Sequence, residues 1–193
     1  KLLLTPHLGA STEEAQVNVA IDIANTVIDY LVKSCIRNAV NVPCVDPEVL
    51  KAIEPYLKLA EKIGSIHAQL AEGHVKRVKI KYVGELLRYD VTPLTLSLIK
   101  GLLTPVLQET VNFVNALVIA KERGIKIVES KTAEVEDFTS LICVEVETDK
   151  GVNGIEATLF TKVDPRIVKL NEFYVDAVPE GYMMFVQNND VPG

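Results

Sequence analysis

The sequence predicts an α+β fold in which helices pack against a mostly antiparallel sheet. Apolar residues recur every three or four positions in the first half of the chain, as in helices with one buried face. Strand-like segments cluster in the second half and follow one another through short turns, which argues against alternating strand–helix–strand units. The 193 residues are 48% hydrophobic and 24% charged, so a core of useful size is available and a disordered chain is excluded.

A capping-box pattern predicts the start of the first helix. Ser11 and Glu14 are spaced so that each side chain can bond the other's backbone amide, and apolar residues then continue at helical spacing to about residue 32. A short apolar run at residues 2–4 predicts a buried strand before this helix. Residues 34–47 are interpreted as a linker to the elements that follow.

The remaining elements are predicted from periodicity and from turn residues. In chain order they are a helix from Pro47 to about Gly73, a strand over 75–83, helices over 90–103 and 108–123, and strands over 126–129, 140–147, 155–162, 167–170 and 183–187. The turn sequence Asp-Lys-Gly at residues 149–151 predicts a hairpin between two of these strands.

Charge and motif content exclude several classes of function. The net charge is −6 and no long basic patch occurs, so nucleic acid and anionic membranes are poor partners. No uncharged apolar run reaches the ~18 residues of a membrane-spanning helix. The glycines form no G-x-G pair, which excludes a dinucleotide fingerprint. Three cysteines without a CxxC pair indicate neither a disulfide framework nor a metal site, and favour a reducing, cytoplasmic setting.

His7 is the first candidate for chemistry. It follows a short apolar run and precedes a helix N-terminus, where a histidine can be tuned as a general acid or base. The small residues Gly9 and Ala10 would let a ligand approach the backbone. From the local sequence alone, a loop histidine without a function is the favoured interpretation.

Other polar residues have both a functional and a structural interpretation. Arg166 follows an Asp-Pro turn and could bind a carboxylate or phosphate through two N–H groups, or form a surface salt bridge. The basic residues at 76, 77, 79 and 81 could hold an anion or could be a solvated strand face. His67 lies on the apolar face of its helix and is interpreted as a core histidine. Asn188 and Asp190 could shape a turn or bind an amine.

Several stretches, taken together, resemble the long form of the D-3-phosphoglycerate dehydrogenase family. The first is T-P-H-L-G-A-S-T-E-E-A-Q at residues 5–16, a pattern shared by many 2-hydroxyacid dehydrogenases. Stretches specific to the long form are R-N-A-V-N-V-P at 37–43, P-R-I-V at 165–168 and N-D-V-P-G at 189–193. The matching stretches follow the family's order over the whole chain.

The resemblance implies three regions. Residues 1–42 would be the tail of the catalytic domain, residues 43–182 an intervening domain with an anion- or substrate-responsive site, and residues 183–193 the start of an ACT domain. We expect a piece of a larger cytoplasmic homo-oligomer, a tetramer in relatives. Because most of the NAD site lies in the missing part, this piece would be inactive alone.

The resemblance also implies roles for individual residues. His7 would exchange a proton with the substrate oxygen as hydride moves to or from NAD. Gly9 and Ala10 would lie against the nicotinamide end of the cofactor. Arg166 would face a small phosphorylated anion in the intervening domain.

Asn188 and Asp190 would fall at the L-serine site of the ACT domain. Asp190 matches the acidic residue used for serine, whereas Asn188 stands where some relatives have an aromatic residue. An alternative to the enzyme fragment is a stand-alone anion-sensing module, similar to the regulatory domain of some L-serine dehydratases. The third interpretation is a purely structural assembly domain, which an exposed apolar patch would indicate.

Overall fold

A computed structural model describes residues 4, 6, 8–33, 47–107, 110–135, 137–161 and 163–186 of the chain. The chain divides into two compact units, residues 1–47 and residues 48–193. Of the predicted buried strand at residues 2–4 only Leu4 is described, and it is 81% exposed and belongs to no strand. Most of the linker at 34–47 lies outside the described residues. No helix among the described residues is long and apolar enough to cross a membrane.

The first unit contains helix α1, Glu13–Lys33, as predicted. Its capping differs from the prediction. The Ser11 hydroxyl donates back to the carbonyl of Leu8 over 2.7 Å, while Oγ1 of Thr12 accepts from the amide of Ala15 over 3.2 Å. Thr12 therefore caps the helix, because it directly precedes the first helical residue. The apolar residues of α1, such as Val17, are exposed within this unit.

The second unit contains the remaining elements. They are α2 (Pro47–Leu70), β1 (Val75–Gly84), a 3₁₀ turn (Glu85–Arg88), α3 (Thr92–Leu103), α4 (Ala116–Glu122), β2 (Lys126–Thr132), β3 (Ser140–Thr148), β4 (Val152–Phe160), β5 (Asp164–Leu170) and β6 (Phe173–Ala177). The predicted hairpin turn joins β3 to β4, where the amide of Thr148 donates to the carbonyl of Gly151 over 2.8 Å.

The six strands form one sheet in the order β2-β1-β3-β4-β5-β6. Among the described strands, only β1 and β2 run parallel, and the other four pairs are antiparallel. This confirms the predicted α+β class with a mostly antiparallel sheet.

Two predicted elements are wrong in the described residues. Residues 183–186 form no strand. A strand needs a neighbouring strand for its backbone hydrogen bonds, and among the described strands none pairs with these residues, since β6 pairs only with β5. Met183, Met184 and Phe185 line a groove along α2 instead. The helix predicted over 108–123 begins only at Ala116, because the side chains of Asn112 and Asn115 bond the backbone before it.

The core lies between one face of the sheet and helices α2 and α3. Val78, Ile80 and Tyr82 of β1 point into it and are at most 1% exposed. The Tyr82 hydroxyl lies 2.8 Å from Oγ1 of Thr95 on α3, which ties the helix layer to the sheet. The opposite face of the sheet is lined by charged side chains and is called the open face below.

Glycine sets how closely α2 and α3 approach each other. A Cβ built on Gly64 of α2 would lie 2.0 Å from the carbonyl oxygen of Leu98 on α3. A Cβ on Gly101 of α3 would lie 2.0 Å from the carbonyl oxygen of Glu61 on α2. The two backbones therefore touch at positions where no side chain fits.

Candidate anion site on the open face of the sheet

Cross-strand ion pairs line the open face between β1 and β3. Nη1 of Arg77 lies 3.0 Å from Oε2 of Glu147, and Nζ of Lys79 lies 2.8 Å from Oε2 of Glu145. These side chains are 35–54% exposed, so each pair contributes little to stability. Two members of the predicted basic row are thus paired strand-face charges rather than an open anion site.

Arg166 of β5 lies at the other side of the same face. Its guanidinium lies 5.6 Å from the centre of the Phe160 ring, and that ring stacks on Phe138 at 6.2 Å. Its side chain is only 20% exposed. Packing against a ring holds a guanidinium in a defined plane, which lowers the entropy lost when a ligand binds.

Two carboxylates flank Arg166. Nη1 donates to Asp164 over 2.5 Å and to the carbonyl of Pro165 over 3.0 Å, while Nε lies 3.0 Å from Oδ1 of Asp176 on β6. Nη2 makes no hydrogen bond to any of the described residues, so its two N–H groups face no protein acceptor there. The Arg166 guanidinium can therefore donate hydrogen bonds to an anion through Nη2, although the summed charge of Arg166, Asp164 and Asp176 is negative.

Phe160 and Asp176 were not found by sequence reasoning. Both lie beside Arg166 only because strand pairing places β4 and β6 next to β5. Strand β6, which contains Asp176, was itself not predicted. Phe160 lies in the strand predicted over 155–162. The signal for β6, and so for Asp176, is the strand-forming run from Phe173 to Val175 after a two-residue turn at residues 171–172.

Most of the other predicted site residues lie outside the described residues. His7, Asn188 and Asp190 belong to this group, so their roles stay predictions. Gly9 and Ala10 form an exposed turn, and a Cβ on Gly9 would have no atom of the described residues within 4 Å. This turn permits a ligand to approach the backbone, but it does not by itself form a dinucleotide site.

Neither a metal centre nor a reactive thiol is present among the residues that the structure describes. No three His, Cys, Asp or Glu side chains within them could hold a metal ion. Cys143 of β3 is free, and burial, with the nearby Glu156 carboxylate, raises the pKa of its thiol to about 11. At neutral pH the thiol is protonated and a poor nucleophile.

Comparison with known proteins decides the family. Residues 52–171, more than half of the chain, match the family described as the D-3-phosphoglycerate dehydrogenase intervening domain. The chain belongs to this family. The match runs from α2 to the turn after β5 and contains every described residue of the Arg166 site except Asp176. The resemblance seen in the sequence is thereby confirmed.

Curated relatives extend the similarity beyond the intervening domain. The chain is 42% identical over its whole length to D-3-phosphoglycerate dehydrogenase of Synechocystis, covering 35% of that protein. It is 35% identical to the protein of the same name from Bacillus subtilis, covering 37% of it, and 37% identical to that of Archaeoglobus fulgidus, covering 36%. The chain thus spans about a third of the length of these relatives.

Proposed function

We propose that the chain is part of a D-3-phosphoglycerate dehydrogenase. That enzyme would oxidise 3-phosphoglycerate to 3-phosphohydroxypyruvate with NAD, the first step towards L-serine. The observation that supports this most strongly is that relatives with this one name match the chain from end to end at 35–42% identity. The cytoplasmic setting expected from the cysteines belongs to the same proposal.

His7 is the residue of this chain to which we assign acid–base chemistry. Oxidation of a secondary alcohol removes a hydride from carbon and a proton from the hydroxyl oxygen, and a base near neutral pKa is suited to take that proton. NAD, when bound, accepts the hydride. The exposed turn at Gly9 and Ala10 is compatible with a cofactor passing close by, while the phosphate-binding glycines would come from the rest of the enzyme.

The intervening domain, in this proposal, regulates the enzyme by binding a small phosphorylated anion at Arg166. The supporting geometry is the guanidinium held by Phe160, Asp164 and Asp176 with Nη2 left for a ligand. Nη2 can donate its N–H groups to the oxygens of such an anion as charge-assisted hydrogen bonds. L-serine at Asn188 and Asp190 would be a second effector.

A chimera tests this proposal. The chain replaces the corresponding third of the Synechocystis enzyme, and the initial rate of NADH formation from 3-phosphoglycerate is measured. We expect an active chimera whose kcat falls roughly 10²–10⁴-fold with His7→Gln, the range typical of a lost acid–base group. Arg166→Gln should leave the basal rate unchanged and remove the response to added phosphate. A chimera that keeps its rate with His7→Gln contradicts the catalytic assignment.

A role in assembly is favoured by a separate observation at the edges of the sheet. Edge strand β2 contains Lys126 and Lys131, which protect an edge from pairing. Edge strand β6 instead exposes Phe173 by 63% and Tyr174 by 78%. We propose that the β6 edge is covered by a second copy in a homo-oligomer.

A further inference from the structure

A row of side chains crosses the open face from β1 to β6. The strand register places Lys81 beside Cys143, Cys143 beside Glu156, Glu156 beside Lys169, and Lys169 beside Tyr174. Neighbouring strands are about 4.8 Å apart, so roughly 10 Å separates the Cα atoms of Lys81 and Glu156. The small thiol of Cys143 lies between these two long charged side chains.

A cavity of about 210 Å³ opens above Cys143. Leu141, Cys143 and Val168 line it together with the charged side chains of the row. Phe138 and the loop residues Glu134 and Asp137 line it as well. Drug-sized ligands occupy cavities of roughly 300–1,000 Å³, so this cavity suits a much smaller molecule.

The charges around the cavity are of both signs. Nζ of Lys169 lies 3.4 Å from Oε1 of Glu156 and 5.4 Å from the centre of the Tyr174 ring, so Lys169 is held in place. Lys81, in contrast, forms no ion pair with any described residue. The side chains of Glu134 and Asp137 likewise have no partner among the described residues.

The unpaired charges define the chemistry of a ligand. Two ammonium groups and three carboxylates surround the cavity, so a simple anion would meet a net negative charge. A simple cation would be repelled by the ammonium groups of Lys81 and Lys169. A molecule with both a carboxylate and an ammonium group would pair Lys81 with the first and Glu134 or Asp137 with the second.

We propose that this cavity binds a small zwitterionic α-amino acid, with its carboxylate at Lys81 and its ammonium group at Glu134 and Asp137. The site shares no charged residue with the Arg166 site. The two are neighbours, because Phe138 lines the cavity and stacks on the ring that supports Arg166. The inference does not depend on the dehydrogenase reaction.

The test is an NMR titration of the ¹⁵N-labelled chain at constant ionic strength. Glycine and L-serine are the zwitterionic probes, and glycolate and ethanolamine each lack one of the two charges. We expect saturable shifts of the amide signals of Lys81, Cys143 and Lys169 with both amino acids. Glycolate and ethanolamine should bind at least tenfold more weakly, because each leaves one set of charges unpaired.

Matched variants locate the site. Lys81→Ala should weaken glycine binding at least tenfold, whereas Lys79→Ala, two residues earlier on the same face, should leave it unchanged. Cys143→Leu should fill the cavity floor and abolish binding; amide signals of α2 and α3 that keep their positions show that this variant is folded.

Three outcomes would overturn the proposal: no saturable shift with either amino acid, glycolate binding as tightly as glycine, or equal losses in the two lysine variants. Arg166→Gln separates this site from the proposed regulatory anion site. It should leave glycine binding intact, and loss of glycine binding in that variant would also contradict the assignment.

Discussion

Lowering the pH from 7.5 to 5.5 should destabilise the intervening domain through His67. This histidine of α2 is 0% exposed, and neither ring nitrogen has a hydrogen-bond partner among the described residues. Burial lowers its pKa from 6.5 to about 4, an effect that the nearby backbone of Val144 only partly offsets. The structure confirms the interpretation of His67 as a core residue, and a pKa of about 4 leaves its ring neutral at pH 7.

The size of the effect follows from the two pKa values. In the unfolded chain His67 takes up a proton near pH 6.5, whereas in the folded chain it does so only near pH 4. The unfolded state therefore binds more protons between these values, and stability falls as the pH falls. Linkage gives a loss of roughly 1.3 kcal/mol between pH 7.5 and 5.5, and about 3 kcal/mol once the pH is below 4.

Urea unfolding at pH 7.5, 6.5 and 5.5 measures this loss. Acid also affects carboxylates, so the quantity of interest is the difference between the parent chain and His67→Leu. That variant keeps a side chain of similar volume and should lose the pH-dependent component. His74→Gln removes an exposed histidine and should follow the parent. If the parent and His67→Leu lose the same free energy of unfolding between pH 7.5 and 5.5, the argument is refuted.

Two further predictions concern packing and assembly. Gly64→Ala would place a Cβ against the carbonyl oxygen of Leu98, and urea unfolding should show a loss of at least about 2 kcal/mol in the free energy of unfolding. Gly151→Ala is the control, because a Cβ there would meet no described atom within 4 Å, and it should cause no such loss. Equal losses in the two variants would contradict the close approach of α2 and α3. Phe173→Lys on the β6 edge should shift the chain towards monomer in sedimentation velocity, and Val128→Lys on the β2 edge should not. An unchanged mass distribution with Phe173→Lys would contradict pairing through β6.

Local patterns predicted those elements that are stabilised by local interactions. The helical spacing of α2 and the turn at residues 149–151 were read correctly, because the interactions that define them lie close in sequence. The parallel pairing of β1 with β2 could not be read, since it joins residues about 50 positions apart. The late start of α4 depends on whether asparagine side chains bond the backbone in place of a first helical turn.

The candidate site was predictable only in part. Arg166 was predicted as an anion-binding residue from its turn and from the family resemblance. Its partners Phe160 and Asp176 come from neighbouring strands, and the register that brings them together includes bulges in β4 and β5. Charge pairing on the open face also depends on strand register. Lys79 and Lys81 look equivalent in the sequence. Only Lys79 has a glutamate directly opposite it.

The central claim is that this chain supplies the acid–base residue and the regulatory domain of a D-3-phosphoglycerate dehydrogenase. The most direct test is the rate of 3-phosphoglycerate oxidation by the chimera, with and without phosphate. The account predicts an active enzyme that loses its rate with His7→Gln and loses only its phosphate response with Arg166→Gln. A folded chimera that does not oxidise 3-phosphoglycerate, or whose rate does not depend on His7, would contradict it.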